Sequence, residues 1–250
     1  MKGVRAAHVR ESCNARRSMF RFSDTPIWLR LTGVIWLMMV LAFGSMIAWE
    51  TRVNRDLAIE QAKDFAGTVN EMTMAGLTGM MITGTVAQRD VFLDQIKELS
   101  VVQDLKVIRG EAVSRVFGDG GVATTGADAD EQLALGAGRS TMRVEHDAER
   151  GEHLRVVIPA LASTAWLGKD CIACHQVPAG TPLGAVSMRI SLDKANAAVS
   201  SFRNHSTVFA LLVSIPLIGF IFLFIRRFVT RPLAQLNEGM AQIAAGGGDL

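Results

Sequence analysis

Two long runs without a charged residue constrain this chain more than any other feature of its sequence. Residues 31–49 and residues 207–225 each contain nineteen residues and no Asp, Glu, Lys or Arg. A helix rises about 1.5 Å per residue, so each run spans roughly 28 Å, close to the thickness of a bilayer's hydrocarbon core. A buried helix of a soluble protein rarely stays uncharged for so long. We therefore predict two transmembrane helices, which also account for the apolar composition, with 49% hydrophobic against 20% charged residues.

The charges that flank the two runs predict the orientation of the chain. Residues 1–30 and 226–250 together carry ten basic and four acidic residues, whereas residues 50–206 carry sixteen basic and twenty acidic residues. Because basic flanks remain in the cytoplasm, both termini are expected there and residues 50–206 are expected outside. A cleaved signal peptide is the alternative for the first run, but a basic leader of about thirty residues is longer than such peptides usually have.

The outer segment, residues 50–206, is long enough for one domain with its own core. Helical periodicity continues the first span outwards, with apolar or small residues near one face, namely Val53, Leu57, Phe65, Val69, Met72, Gly76 and Met80. Short helices are predicted in 86–99 and 128–135, and strands in 102–108, 113–117, 141–146, 153–161 and 185–191. The third and fourth strands are predicted to form a hairpin that turns at Gly151, and a last helix that starts after Ser191 is predicted to run into the second span. This order predicts an α+β domain, with a small antiparallel sheet flanked by long helices.

The most specific chemical signal is Cys171-Ile172-Ala173-Cys174-His175, a C-x-x-C-H motif. Two thiols at this spacing can form thioethers with the vinyl groups of a porphyrin, and the next residue can present an imidazole to the iron. We therefore predict one covalent haem c, attached through Cys171 and Cys174, with His175 as the proximal iron ligand. Such attachment takes place outside the bacterial inner membrane. It agrees with the orientation predicted from the charges and places residues 50–206 in the periplasm.

Three other uses of the two thiols remain open. A structural zinc site needs about four ligands, and beyond the motif the outer segment offers His146, His153 and His205. A thioredoxin-like redox pair would open a helix after a strand, whereas a turn rich in proline and glycine, residues 178–182, follows this motif. A plain disulfide is the third alternative. The remaining cysteine, Cys13, is expected to be an inert thiol in a reducing cytoplasm.

The segment after the second span, residues 226–250, carries a heptad-like apolar seam formed by Leu233, Leu236, Met240 and Ile243. Such a seam predicts a homodimer in which parallel helices of two protomers form a four-helix bundle. An amphipathic tail lying on the lipid surface is the alternative, but the polar face lacks the lysines and arginines typical of one.

These residues together resemble a known family. The stretch from Val229-Thr230-Arg231-Pro232-Leu233 to Gly248-Asp249-Leu250 resembles the first half of a HAMP domain, the helical relay beneath the membrane in chemoreceptors and sensor kinases. The outer segment resembles the haem-bearing, Cache/PAS-like periplasmic sensors of bacterial methyl-accepting chemotaxis proteins. The stretches that carry this resemblance are residues 72–81, 105–110 and 169–186.

The resemblance implies a transmembrane signal transducer. Its periplasmic haem would sense redox state or a diatomic gas, and helix movement would reach cytoplasmic signalling proteins, in chemotaxis, through an output domain that follows the HAMP-like segment and is not in this sequence. The alternative is a membrane-anchored mono-haem electron-transfer cytochrome c, served by a periplasmic redox partner. No nucleotide loop, catalytic triad or carboxylate pair predicts an enzyme, and a net charge of +2 gives no reason to expect a nucleic-acid partner.

The second axial ligand of the haem iron is predicted on the helix that leaves the first span. Gly76 and Gly79 remove side chains one turn before Met80, so a flat porphyrin could approach this face closely. Thioether ligation raises the potential of a haem and suits a redox sensor. Met80 is therefore the first candidate and Met74 the second. The alternative is a helix that packs its small residues against another helix.

Overall fold

The computed structural model describes residues 26–118, 127–244 and 246. Cys13 and the glycine-rich end of the HAMP-like segment therefore lie outside the described residues, except for Gly246. The helices and strands, in chain order, are α1 (Ile27–Thr83), α2 (Arg89–Lys97), β1 (Val102–Arg109), α3 (Glu111–Phe117), α4 (Ala129–Ala137), β2 (Thr141–Asp147), β3 (Gly151–Leu161), α5 (Cys171–His175), β4 (Pro182–Ser191), α6 (Asp193–Phe224) and α7 (Arg231–Ala244).

The chain divides into two compact units. One contains the described residues up to Gly44 and those from Phe209 onwards, and the other is Ser45–Val208. Two helices are long and apolar enough to cross a membrane, one over Trp28–Thr83 and the other over Asp193–Ala244, and their most apolar windows are almost entirely exposed. Exposed apolar helices of this length differ from the buried core helices of soluble proteins.

Both apolar runs belong to helices that continue into the outer domain. α1 is a single helix of 57 residues that contains residues 31–49 and ends at Thr83. Gly84 follows it with a left-handed backbone that lets the Thr85 amide bond to the Met80 carbonyl. α6 begins directly after β4 and contains most of residues 207–225. A π-helical turn over Ile225–Thr230 then leads into α7, so the helix changes its winding just before Pro232. The predicted continuity of both helices is confirmed.

The second unit is built on a four-stranded antiparallel sheet with the strand order β1-β4-β3-β2. β2 and β3 form the hairpin predicted around Gly151, where Asp147 pairs with Gly151 and Arg143 with Arg155. β4 lies between β3 and β1, so the last strand of the domain is central. Four of the five predicted strands are confirmed, with small shifts at their ends.

The two faces of this sheet are covered by different helices. On one face α1 and α2 form the main core with apolar strand residues that include Leu105, Leu154, Val156, Met188 and Ile190. On the other face α4 packs through Ala134 against Val157 and Ala185. The predicted α+β class is confirmed for this unit.

The fifth predicted strand, residues 113–117, is wrong because this segment is the helix α3. Gly110 precedes the helix in an extended conformation, and its amide bonds to the Leu183 carbonyl at the start of β4. This hydrogen bond holds the start of α3 at the end of the sheet where β4 begins. Residues 111–117 then wind into a turn with Glu111 and Arg115 paired four residues apart.

The apolar face predicted for the outer part of α1 is mostly not the buried one. The residues of this helix that pack into the domain are Ala66, Val69, Asn70, Thr73 and Leu77. Val53, Leu57, Phe65 and Met72 are exposed. The buried face is small and partly polar because a helix can approach a sheet closely only where its side chains are short.

Candidate functional site

The C-x-x-C-H residues form α5, a single helical turn in the connection between β3 and β4. The Asp170 carboxylate caps this turn, accepting hydrogen bonds from the amides of Ile172 at 2.9 Å and Ala173 at 3.1 Å. Gln176 ends the turn with a left-handed backbone. A cap at each end explains why so short a helix forms.

Backbone hydrogen bonds anchor this connection to the end of the sheet. The Ala162 amide donates to the Thr181 carbonyl at 2.9 Å, and the Gly180 amide donates to the Ala162 carbonyl at 2.8 Å. The Cys171 amide donates to the Ser163 carbonyl at 2.9 Å. The motif is therefore held at the point where β3 ends and β4 begins.

Both cysteines of the motif are free thiols, with Cys171 half-buried and Cys174 exposed. His175 is half-buried, and burial lowers the pKa of its imidazole. Its Nδ1 atom is buried and has no hydrogen-bond partner. The Phe117 ring in α3 and the imidazole are nearly perpendicular, with the ring centroids 5.5 Å apart.

This donor set fits a covalently attached haem. The two thiols are available for thioethers, and a neutral imidazole is the form that binds iron. Cys171, Cys174 and His175 would hold the group, which would supply an iron that changes oxidation state or binds a diatomic gas. Among the described residues, no three His, Cys, Asp or Glu side chains lie close enough together to hold a metal ion, as a structural zinc site would require.

A tight turn beside the motif exposes an apolar side chain. Trp166 and Lys169 pair across the turn, and the two residues between them, Leu167 and Gly168, both have a positive φ. A left-handed backbone is unfavourable for leucine, and the Leu167 side chain is nevertheless 54% exposed. Nε1 of Trp166 is buried without a hydrogen-bond partner. The turn thus carries one exposed apolar side chain and one indole whose buried N–H has no partner.

The two methionines predicted as distal ligands lie in different surroundings. Met80 is half-buried in the last turn of α1. Met74 packs against the main core between α1 and the sheet. The space left by Gly76 is filled by the Phe92 ring of α2, whereas the space beside Gly79 is open. The open face predicted at Gly76 is therefore wrong, because Phe92 occupies it, and the choice of Met80 or Met74 as the distal ligand stays a prediction.

A buried ionic network on the α4 face of the sheet was not predicted from the sequence. Arg155 of β3 is 2% exposed and donates to Asp128 at 2.5 Å, to Glu131 at 2.8 Å and to the Ser187 hydroxyl at 2.7 Å. Ser187 in turn donates to Glu131 at 2.6 Å, and Lys106 of β1 reaches Glu131 at 2.7 Å. Every charge in the network has a partner, so it joins α4 to three strands.

The network holds its groups in their charged forms. Burial opposes ionisation of Glu131, but hydrogen bonds from Lys106, Ser187 and Arg155 outweigh it, so the pKa of the carboxyl is lowered. Burial also opposes ionisation of Asp128, and the Glu131 amide and Arg155 more than offset it, so the pKa of that carboxyl is lowered too. The Asp128 and Glu131 side chains also form a capping box at the start of α4. The sequence signal for this network was Asp128-x-x-Glu131 together with an arginine inside an otherwise apolar strand.

No family model, no curated protein and no solved structure matches this chain.

Proposed function

We propose that this chain is the sensory part of a transmembrane signal transducer. Residues 50–206 would lie in the bacterial periplasm and carry one haem c, held by Cys171 and Cys174 and ligated by His175. Residues 31–49 and 207–225 would cross the inner membrane, with both termini in the cytoplasm. The HAMP-like segment from residue 226 would pass the signal to a cytoplasmic output, which the resemblance implies is a chemotaxis domain.

The observation that carries the proposal is the arrangement of the motif within the domain. α5 presents two free thiols and a half-buried imidazole at one end of the sheet. The same sheet is packed by α1, and its central strand β4 runs directly into α6. Both helices contain the apolar runs. A change at the motif can therefore reach both predicted spans through regular secondary structure.

The residues around the motif have separate tasks in this proposal. Asp170 fixes the start of α5, and the Cys171 amide ties the turn to Ser163, so the thiols are presented from a defined backbone. Phe117 orients the imidazole from the side. Trp166 and Leu167, which lie in the turn just before the motif, would offer apolar cover to the haem. α3, which carries Phe117, packs against β4, so a movement of His175 has a direct route to the strand that continues into α6.

The experiment that tests the proposal is an optical spectrum of the full chain made in cells that attach haem. We expect a covalent haem that resists acid–acetone extraction, with a reduced spectrum recorded with and without carbon monoxide to report access to the iron. Cys171→Ala and Cys174→Ala should prevent full covalent attachment. Cys13→Ala is the matched control and should leave the spectrum unchanged. A colourless wild-type protein would overturn the proposal.

The electron-transfer alternative predicts a different result for the same protein. A plain cytochrome should exchange electrons rapidly with a periplasmic redox partner, and its cytoplasmic segment should not respond. A transducer fused through α7 to a reporter kinase should change kinase activity when the haem is reduced or binds a gas. A fast, reversible reduction with no change in the reporter would favour the cytochrome.

A further inference from the structure

Glu152 joins the two helices that lead from the outer domain towards the apolar runs. It is the second residue of β3, and its side chain is 19% exposed. One carboxylate oxygen, Oε1, accepts a hydrogen bond from Nη2 of Arg55 in α1 at 2.5 Å. The other, Oε2, accepts one from Nδ2 of Asn196 in the first turn of α6 at 2.7 Å. A single carboxylate thus bridges α1 and α6.

The backbone of Glu152 is held as firmly as its side chain. Its carbonyl accepts the Leu192 amide at 3.0 Å, directly before α6 begins. The next residue, His153, pairs with Ser191 at the end of β4. Glu152 therefore moves with the sheet. A shift of β3 relative to β4 would displace both of its carboxylate oxygens relative to their donors on α1 and α6.

Another hydrogen bond between α6 and the domain does not replace this bridge. Lys194 donates to the Ser100 hydroxyl at 2.9 Å, which ties α6 to the segment before β1 and leaves α1 out. The hydrogen bonds of Glu152 link α6 with α1 through one group. A carboxylate with two donors on different elements fixes their separation more closely than one donor could.

We propose that Glu152 is the positioning residue that sets α6 relative to α1 and passes a movement of the sheet to both helices together. The inference rests on the proposed function, because it names the residue through which that signal leaves the domain. The Arg55 side chain is 52% exposed, so its half of the bridge is weakened by salt. The hydrogen bond between Glu152 and Asn196 is partly buried, so salt weakens it less.

The test measures the distance between the two helices in both redox states. Spin labels are placed at the exposed positions Thr68 of α1 and Asn204 of α6 in the full, haem-loaded chain with Cys13 replaced by serine, diluted with unlabelled protein. We expect one narrow distance distribution that shifts when the haem is reduced. In Glu152→Ala the distribution should broaden at least twofold and the redox shift should vanish, with haem content and reduction potential unchanged.

Two further variants separate a positioning role from a general loss of structure. Arg52→Ala removes an exposed arginine three residues before Arg55 and should behave like the wild type. Arg55→Glu combined with Glu152→Arg restores opposite charges and should recover part of the narrow distribution. An unchanged distribution and redox shift in Glu152→Ala would overturn the inference. If Glu152→Ala broadens the distribution but the wild type shows no redox shift, the bridge stands as a structural element and its signalling role is lost, together with the proposed redox sensing.

Discussion

Arg155 and Glu131 are a buried ion pair, and all of their other partners belong to the same domain. Replacing either residue therefore affects the stability of that domain. Glu131 is fully buried and accepts from Lys106, Ser187 and Arg155. A buried pair of charges adds little stability over well-packed apolar residues, but removing one partner leaves an uncompensated charge. The network therefore fixes the position of α4 more than it adds stability, and single substitutions in it should be severe.

Glu131→Gln should lower the stability of the domain and flatten its dependence on pH. Loss of the charge leaves Asp128 as the remaining carboxylate partner of Arg155 and takes away the carboxylate that Lys106 contacts, which should cost about 3 kcal/mol, or a fall in Tm of roughly 6–12 °C. In the wild type the pKa of Glu131 is lowered from 4.5, so its contribution is complete at neutral pH. As the pH falls below about 4.5 the unfolded chain takes up the proton first, and this contribution is lost.

Thermal melts of the full chain in detergent, followed by circular dichroism between pH 3 and 7, measure both effects. Glu111→Gln is the control because Glu111 belongs to an exposed pair with Arg115 and should change the Tm by less than about 2 °C. Equal Tm values for Glu131→Gln and the wild type at pH 7 would contradict the prediction.

Met80→Ala should change the ferric spectrum of the haem-loaded protein by removing the weak methionine–iron band. The reason is its place in the last turn of α1, beside the open surface at Gly79. Met74→Ala should keep the spectrum and lower stability instead, because Met74 packs against the core. Met72 and Met81 are exposed and serve as controls. An unchanged spectrum in all four alanine variants would mean that the distal ligand lies elsewhere and would favour a vacant or water-ligated gas site.

At the scale of elements, the sequence predicted those that carry strong local signals. The Gly151 hairpin, the short helix predicted over 128–135 and the run from β4 into α6 all have such signals, and all are confirmed. A strand was predicted at residues 113–117 because Val113, Val116 and Phe117 favour strands. The segment is a helix instead, and the hydrogen bond from Gly110 to Leu183 sets its position. That contact joins residues far apart in the sequence, so no local pattern could reveal it.

The buried face of α1 could not be predicted for a related reason. Hydrophobic periodicity finds the most apolar face of a helix, and on α1 the face that includes Val53, Leu57 and Met72 is left exposed. The sheet instead accepts the face with Ala66 and Thr73, whose short side chains allow close approach. Small residues on α1 therefore mark where the helix packs within the domain. Gly76 is the clearest case, because the Phe92 ring lies against it.

Gly76→Ala should be destabilising relative to Gly79→Ala by about 1–3 kcal/mol. Both changes add the same methyl group to α1, so the gain in helix propensity cancels between them. A β-carbon at Gly76 would lie 2.8 Å from Cε1 of Phe92 and would push α2 away, whereas nothing lies within 4 Å at Gly79. Thermal melts of the two variants measure the difference. Equal stability would mean that α2 does not pack on Gly76 as described.

At the scale of the whole molecule, the sequence predicts best those features that the surrounding medium selects. A bilayer selects long uncharged runs, and both runs lie in exposed helices long enough to cross one. The Cys171–His175 motif can likewise be recognised in the sequence, because it is defined by the spacing of two cysteines and a histidine. The Glu152 bridge and the Arg155 network join residues that are far apart in the sequence, so only the folded structure reveals them.

The apolar seam of α7 should be buried by a second copy of the chain. Leu233, Leu236, Met240 and Ile243 are all exposed, and Leu236 is 65% exposed. An apolar stripe with heptad spacing is stable in water only when another helix covers it, and two copies anchored in a membrane as proposed would meet in parallel orientation. With Cys13 replaced by serine, Leu236→Cys should therefore give a disulfide-linked dimer on mild oxidation in membranes. Glu238→Cys, on the opposite side of α7, is the matched control and should cross-link at least fivefold more slowly. Equal rates at the two positions would show that contact between copies is random and that the seam is covered by something else.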